Sequence, residues 1–140
     1  MLKAYIAGPL RGDGTEHAIT QNRAHAASVA CDLWRAGFAV FCPHLNTTGM
    51  VGMFDKQDIT GEAIFIAGDV LWLQHADCLF MLKSWRQSEG ARCEHDFARS
   101  KDKILILYEH ETEAGFLIWN YSGRLYQTCE LRAALEISTL

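Results

Sequence analysis

Short, mostly apolar segments alternate with helical segments along most of this chain, and that alternation constrains the fold more than any other feature. The apolar segments are Lys3 to Ala7, Phe38 to Phe41, Cys78 to Leu82 and Ile104 to Tyr108. Each is short and rich in strand-forming residues, and each ends at or near a turn residue. Strands that are apolar on both faces are typical of parallel sheets buried under helices.

Helical periodicity fills the intervals between these strands. The helices are expected at about residues 21–36, 60–75 and 88–100. In the second of them we expect Ile64, Ala67, Leu71 and Val70 to lie on the buried side. The chain after residue 108 has an apolar run at 116–119, a turn-like run at 120–123 and a short helical pattern at 128–136. We therefore predict an α/β fold of three layers: a flavodoxin- or Rossmann-like, mostly parallel sheet with helices on both faces.

Length and composition predict one soluble domain over residues 1–140. The 140-residue chain is 49% hydrophobic and 21% charged, an ordinary globular balance. Its formal charge is −4, and Lys and Arg form no cluster of the kind that follows a phosphate backbone. A nucleic-acid polymer is therefore not an expected partner. A small anionic ligand is still compatible with this charge, because a few backbone N–H groups can bind one.

The cysteines and the N-terminus predict a cytoplasmic protein. Five scattered cysteines show neither the spacing of a zinc site nor that of a redox motif, so we interpret them as reduced thiols. The first apolar run is too short for a signal peptide, and no run approaches the roughly 20 apolar residues that span a membrane. Cys93, Glu94, His95 and Asp96 resemble a ligand cluster only in the printed sequence, since consecutive helical residues point in different directions. We expect neither a metal nor a cofactor.

The residues that could carry chemistry follow the strands. In parallel sheets, ligands bind at the carboxyl ends of the strands. The candidates are Gly8, Arg11 and Gly12 after the first strand, His44 after the second, and Trp85, Ser88, Gly90 and Glu94 after the third. Asp69, on the preceding helix, can reach the same edge if that helix packs beside the one carrying Glu94. Two neighbouring carboxylates suit chemistry at the anomeric carbon of a sugar.

Each candidate also has an ordinary structural explanation. The loop from Gly8 to Gly12 has neither Walker nor dinucleotide spacing and could be a simple turn. Glu94 could serve only to favour the helix dipole, and His44 could be a loop histidine. Trp85 could belong to the core or to a ligand site.

The order of several short motifs resembles one known group of enzymes. The motifs are Tyr5-Ile6-Ala7-Gly8-Pro9 with Arg11-Gly12, then Asp69, then Ala76-Asp77, and finally Ser88-x-Gly90-Ala91-x-x-Glu94. This order resembles the nucleoside 2-deoxyribosyltransferase superfamily over residues 3–108. The chain looks especially like the compact branch with deoxynucleoside 5′-monophosphate N-glycosidases and uncharacterised phage and bacterial relatives.

The resemblance implies a set of roles. Glu94 would attack the anomeric carbon and form a covalent deoxyribosyl intermediate, which water or an acceptor base resolves. Asp69 would position the reacting groups and assist proton handling, and Tyr5 would place a hydroxyl near the nucleophile. Loop residues would hold sugar and phosphate: Gly8, Arg11, Gly12, Ser88 and Gly90. The resemblance also implies a homodimer whose partner contributes residues near Asn120, Tyr121 and Ser122.

The sequence leaves some alternatives open. Pro9 stands where the monophosphate hydrolases carry a small hydroxyl residue, and it supplies neither a hydroxyl nor a backbone N–H. Residues 43–58 match no base-recognition pattern, so the base is not assigned. The same fold and pocket could instead serve a non-catalytic nucleotide-binding or sensing module, and a purely structural α/β protein is the third possibility.

Overall fold

Six strands form one mixed sheet in the computed structural model, which describes residues 1–48, 50, 61–110, 112 and 115–138. The strands are β1 Lys3–Ala7, β2 Ala39–Phe41, β3 Cys78–Met81, β4 Leu105–His110, β5 Ile118–Tyr121 and β6 Arg124–Gln127. Their order is β2-β1-β3-β4-β5-β6, with parallel pairing from β2 to β4 and antiparallel pairing from β4 to β6. The predicted α/β fold with a mostly parallel sheet is confirmed.

Five α-helices lie in the described part of the chain, besides one turn of 3-10 helix at Trp85–Gln87. They are α1 Glu16–Arg35, α2 Pro43–Asn46, α3 Gly61–Leu73, α4 Glu89–Arg99 and α5 Thr128–Ser138. Helix α1 begins before its predicted start at Gln21 because Thr15 caps it: the Thr15 hydroxyl accepts a hydrogen bond from the Ala18 N–H at 3.1 Å. Within the predicted loop from His44 to Ile59, α2 is an unexpected short helix, and residues 49 and 51–60 lie outside the described residues.

Alternate residues of the strands build two cores, one on each face of the sheet. On β1, Ala4 and Ile6 face the core that contains α1 and α5, whereas Tyr5 and Ala7 face the core that contains residues of α3 and α4. This alternation follows from the two-residue period of a strand. Helices cover both faces, so the sheet is the middle of three layers. Tyr5 therefore points towards the helices that carry Asp69 and Glu94.

The predicted buried side of α3 is wrong. Ile64 and Leu71 are 45% and 64% exposed, and Ala67 is exposed as well. Leu73 is instead fully buried, and Asp69 and Val70 are partly buried. Helix α3 has apolar residues around most of its circumference, so periodicity identifies an apolar stripe without showing which side meets the sheet.

The C-terminal region continues the same sheet and core. Strands β5 and β6 form a hairpin whose turn contains Ser122 at φ 54° and Gly123 at φ 81°. Positive φ at both central residues is typical of a type I′ turn, which matches the twist of the strands. Trp119 is fully buried, and its ring meets the Phe80 ring edge to face at 4.8 Å. The turn and the final helix agree with the sequence interpretation of this region.

Two further findings concern the sulfur atoms and the helices. The five cysteines, all within the described residues, are free, and Cys42 and Cys78 are buried. Among the described helices, none combines the length and apolar character that a membrane crossing requires.

Candidate active site

The candidate site lies where the strand order reverses. Strand β1 runs between β2 and β3, and the chain leaves the carboxyl ends of β1 and β3 in different directions: to α1 after β1 and to α4 after β3. Such a reversal opens a crevice at the carboxyl edge of a parallel sheet. The loop after β1 and the segment from Lys83 to Ser88 after β3 both lie at this edge.

Two side chains hold the loop after β1 by its carbonyl groups. Nε2 of His44 lies 3.1 Å from the Pro9 oxygen, and Nδ2 of Asn22 donates to the Leu10 oxygen at 3.0 Å. His44 is only 6% exposed, and burial lowers its pKa, so the ring is neutral with its proton on Nε2. His44 thus supports the loop, and its expected contact with substrate stays a prediction.

Two glycines of this loop have structural reasons of their own. A Cβ at Gly8 would lie 2.7 Å from Cβ of Leu82, so only glycine allows the ends of β1 and β3 to approach this closely. Gly12 has φ +55°, a conformation that other residues rarely adopt. Arg11, between them, is exposed. The loop thus has a fixed backbone that presents an exposed arginine.

Ser88 and Gly90 form the N-terminus of α4. The Ser88 hydroxyl oxygen accepts a hydrogen bond from the Ala91 N–H at 3.2 Å and so caps the helix. A hydroxyl that accepts one bond can still donate its proton to a ligand. The position of a Cβ on Gly90 lies 4.0 Å from the Ser88 hydroxyl and is otherwise open among the described residues.

Tyr5, Asp69 and Glu94 come together between β1, α3 and α4. Burial raises the pKa of Glu94 to about 7, the hydroxyl of Tyr5 acts to lower it, and the charge of Asp69 acts to raise it. Burial raises the pKa of Asp69 to about 6. Asp69 and Tyr5 are therefore close enough to Glu94 to change its ionisation.

Two polar atoms of this cluster lack good hydrogen bonds. Tyr5 is fully buried, and within the described residues neither its hydroxyl nor Oε2 of Glu94 has a partner of ordinary hydrogen-bond geometry. Burial first, and the neighbouring carboxylates second, raise the pKa of Tyr5, so its hydroxyl stays protonated. Buried polar groups without partners are rare in folded proteins and are costly. In the described part of the chain, Tyr5 and Glu94 therefore act on each other's ionisation without a well-formed hydrogen bond at either atom.

An aromatic stack forms one wall beside the cluster. The Phe41 ring stacks on Tyr5 with centroids 5.6 Å apart and on Trp72 with centroids 5.2 Å apart. Trp72 is one turn after Asp69 on α3 and is 59% exposed. Trp72 is not among the predicted site residues, although its three-residue spacing from Asp69 places both on one side of the helix.

Comparison with known proteins places this arrangement in a family. Residues 2–108, which are well over half of the chain, match a family described as Domain of unknown function (DUF4406). The chain belongs to this DUF4406 family. No curated protein matches the sequence.

The matched part of the DUF4406 domain contains the whole Tyr5–Asp69–Glu94 cluster, both loops at the carboxyl edge, and α4. It ends at Tyr108, within β4, so the β5–β6 hairpin and α5 lie beyond it. The description of the family names no activity.

Trp85 borders the site of the DUF4406 domain from the β3–α4 segment. Its ring lies 4.3 Å from the His95 ring, and the Arg86 guanidinium lies 4.6 Å from the Trp85 centroid. Together with Tyr108 and Asn120, Trp85 lines a cleft of about 460 Å³. Nε2 of His95 forms a hydrogen bond with the Tyr108 hydroxyl at 2.6 Å. His95 thus contacts Trp85 and Tyr108, whereas Glu94, the preceding residue, belongs to the carboxylate cluster.

Asn120 and Ser122 are not part of the carboxylate cluster. Asn120 lies on β5, where its Oδ1 accepts a hydrogen bond from the Gly123 N–H at 3.2 Å. Ser122 is exposed in the hairpin turn. Their predicted contribution to a neighbouring subunit's site stays a prediction.

Proposed function

We propose that this DUF4406 domain cleaves or transfers the N-glycosidic bond of a deoxynucleoside or deoxynucleoside 5′-monophosphate through a covalent deoxyribosyl–Glu94 intermediate. The observation that carries the proposal is the cluster of Glu94, Asp69 and Tyr5. It has two carboxyls, of which Asp69 raises the pKa of Glu94, and two buried polar atoms without good partners. The sequence motifs that resemble the deoxyribosyltransferases contain these same three residues.

The proposed reaction begins with attack by a Glu94 oxygen on the anomeric carbon. The carbon–nitrogen bond breaks, its electron pair leaves with the base, and a proton reaches the base with the assistance of Asp69. Water or an acceptor base then attacks the same carbon and releases the Glu94 carboxylate. With a pKa of about 7, Glu94 is ionised in a substantial fraction of molecules at neutral pH. A partly desolvated carboxylate is also a better nucleophile than one covered by water, and no cofactor is needed.

Tyr5 has a supporting role in this reaction. Its raised pKa keeps the hydroxyl protonated. As a hydrogen-bond donor, the Tyr5 hydroxyl favours the ionised form of Glu94 before Glu94 attacks. It favours the same ionised carboxylate again when the intermediate is resolved and Glu94 is released. Because Tyr5 lies on β1, in the middle of the sheet, its position is fixed by the core.

The loop after β1 suits the sugar or its phosphate. Peptide groups are planar and trans, so an N–H points opposite to the carbonyl of the preceding residue. The carbonyls of Pro9 and Leu10 point towards His44 and Asn22. The N–H groups of Leu10 and Arg11 consequently point away from those side chains. Backbone N–H groups with a nearby arginine side chain form a common cradle for anions.

We further propose that the protein is a cytoplasmic homodimer that pairs through the α3 stripe, defined as Ile64, Ala67 and Leu71. These three residues are one helical face, carry no charge and are exposed. In a chain of net charge −4, the identical stripe of a second copy is a complementary apolar partner. Asp69 lies on the opposite side of the same helix, so the second subunit would contact α3 without covering Asp69.

The test of the proposed function is release of free base from a panel of deoxynucleosides and their 5′-monophosphates. We expect release by the wild type and by Glu136→Ala, whose side chain is exposed on α5, and a loss of at least about 10³-fold in Glu94→Ala. A 2-fluoro-deoxyribosyl nucleoside should trap the intermediate, and mass spectrometry should locate the label on Glu94. Tight nucleotide binding without release or labelling would instead indicate a sensing module. Full activity in Glu94→Ala would refute the nucleophile assignment.

A further inference from the structure

Glu109 is a buried carboxylate that the proposed reaction does not use. Its side chain is 8% exposed and lies near the end of β4. Oε2 accepts a hydrogen bond from the Lys83 backbone N–H at 2.8 Å, and Nε2 of His25 lies 2.9 Å from Oε1 and 3.0 Å from Oε2. Burial alone would raise the pKa of Glu109, but these contacts outweigh burial and lower it. The Glu109 carboxylate therefore connects β4, on which it lies, with His25 of α1 and with the backbone of Lys83.

The residue that Glu109 holds begins the segment leading to the candidate site. Residues Lys83 to Ser88 connect β3 with α4, and they include Trp85 and the helix cap Ser88. The other end of the segment is bonded to α4, where the Arg92 guanidinium donates to the Arg86 oxygen at 2.6 Å. The segment is thus fixed at both ends, by Glu109 at one and by α4 at the other.

The backbone of this segment needs such support. Ser84 has φ 63°, a left-handed conformation that is unfavourable for a residue with a side chain. Strained residues persist when their surroundings hold them in place, and they are common at functional sites. Lys83 and Ser84 also line both the cleft of about 230 Å³ next to Pro9 and the cleft of about 460 Å³ next to Trp85. A shift of the segment would therefore alter both clefts.

We propose that Glu109, together with His25, is a positioning residue that fixes the Lys83–Ser88 segment and thereby the part of the substrate site formed by Trp85 and Ser88. That Trp85 and Ser88 belong to a substrate site rests on the proposed function. That Glu109 holds the segment in place rests only on the contacts of Glu109. Helix α4, which carries Glu94, also packs on α3, β1 and β3, so its position does not depend on this segment alone. Loss of Glu109 should consequently affect substrate binding more than the chemical step.

The test compares Glu109→Ala and Glu109→Gln with a matched control, Asp77→Ala. The Asp77 carboxylate also accepts a hydrogen bond from the backbone N–H of another strand, from Lys3 at 2.7 Å. Asp77 directly precedes β3, however, and so lies at the amino ends of the parallel strands, whereas the candidate site lies at their carboxyl ends. Hydrogen–deuterium exchange should be faster in residues 83–88 of Glu109→Ala than in those residues of Asp77→Ala. With an active substrate, Glu109→Ala should raise KM about tenfold while kcat stays within about threefold, because misplaced binding groups weaken substrate binding.

Glu109→Gln should stay near the wild type in both measurements, because an amide can accept from Lys83 and donate towards His25. Equal exchange in residues 83–88 of the alanine variant and the control would overturn the proposal. An equal rise in KM in Asp77→Ala would also overturn it, since the effect would then reflect lost stability. A wild type that releases no base would contradict the proposed function, and the exchange comparison would still decide the role of Glu109.

Discussion

Glu94 has two neighbours that act on its ionisation in opposite directions, and this gives a prediction about pH dependence. The charge of Asp69 raises the pKa of Glu94, whereas the hydroxyl of Tyr5 lowers it. If Glu94 must be ionised to attack, base release should increase as pH rises through about 7 in the wild type. Asp69→Asn removes a negative neighbour and should move this rise to lower pH. Tyr5→Phe removes a donor and should move it to higher pH.

The measurement is the pH profile of kcat/KM between about pH 5 and 9, which reports the ionisation of the free enzyme. Residual activity in each variant is sufficient, because the comparison uses the pH at which kcat/KM rises and not the maximum value of kcat/KM. A rise that moves in the same direction in both variants would show that the assignment of the two neighbours is wrong.

At the residue scale, the sequence predicts a side chain's type of chemistry better than its partner. Tyr5, Asp69 and Glu94 come together as the motif order indicates. The placement of His44 was not predictable, because its partner is a carbonyl 35 positions earlier in the chain. Glu109 was missed because the sequence analysis ended the fourth strand at Tyr108, one residue before it. Both cases depend on contacts between distant segments, which local patterns do not record.

At the scale of elements, the exposed α3 stripe predicts the interface of the homodimer. Leu71→Glu puts a charge at one end of the stripe, and it should shift the protein to a monomer because a buried unpaired charge is costly. Ile137→Glu is the matched control: Ile137 is 73% exposed on α5, outside the stripe, and gains the same charge. Light scattering coupled to gel filtration measures the mass. A wild type that is monomeric at tens of micromolar, or an unchanged dimer in Leu71→Glu, would contradict the interface.

The strands and helices themselves were largely predictable, because their signals are local. All four predicted strands are present, with ends that differ by a residue or so, since apolar runs between turn residues have few other uses. The start of α1 differed because a cap at Thr15 extends the helix through a polar stretch. The orientation of α3 could not be predicted, since its nearly uniform apolar surface carries no directional signal.

At the scale of the whole molecule, one core joins the part that matches the DUF4406 family to the part that follows it. Trp119 and Leu131, which lie beyond the matched residues, are fully buried with Phe80 and Leu33 of the matched part. The sheet is likewise continuous from β2 to β6. The C-terminal hairpin and α5 therefore complete the fold that holds the carboxylates, and changes at the candidate site should register in the stability of the entire chain.

The cost of burying Glu94 gives a prediction for that stability. The folded protein raises the pKa of Glu94 from 4.5 to about 7, so it binds this proton more tightly than the unfolded chain does. The contribution of Glu94 to the free energy of unfolding is thus greatest below the unfolded pKa and falls as pH rises to about 7. Glu94→Gln does not titrate and avoids this loss. It should be more stable than the wild type at pH 8, by on the order of 2–3 kcal/mol.

Urea unfolding of both proteins at pH 4.5 and at pH 8 measures this difference. The advantage of Glu94→Gln should be small at pH 4.5, where the folded wild type holds Glu94 protonated, and full at pH 8. Glu136→Gln, at an exposed position of α5 where the carboxylate pairs with the exposed Arg132, should stay within about 0.5 kcal/mol of the wild type at both pH values. An advantage of the same size at both pH values would mean that an amide simply packs better there. A pH-dependent advantage would instead show that the fold gives up stability to keep an ionisable carboxylate in this position, as a catalytic role requires.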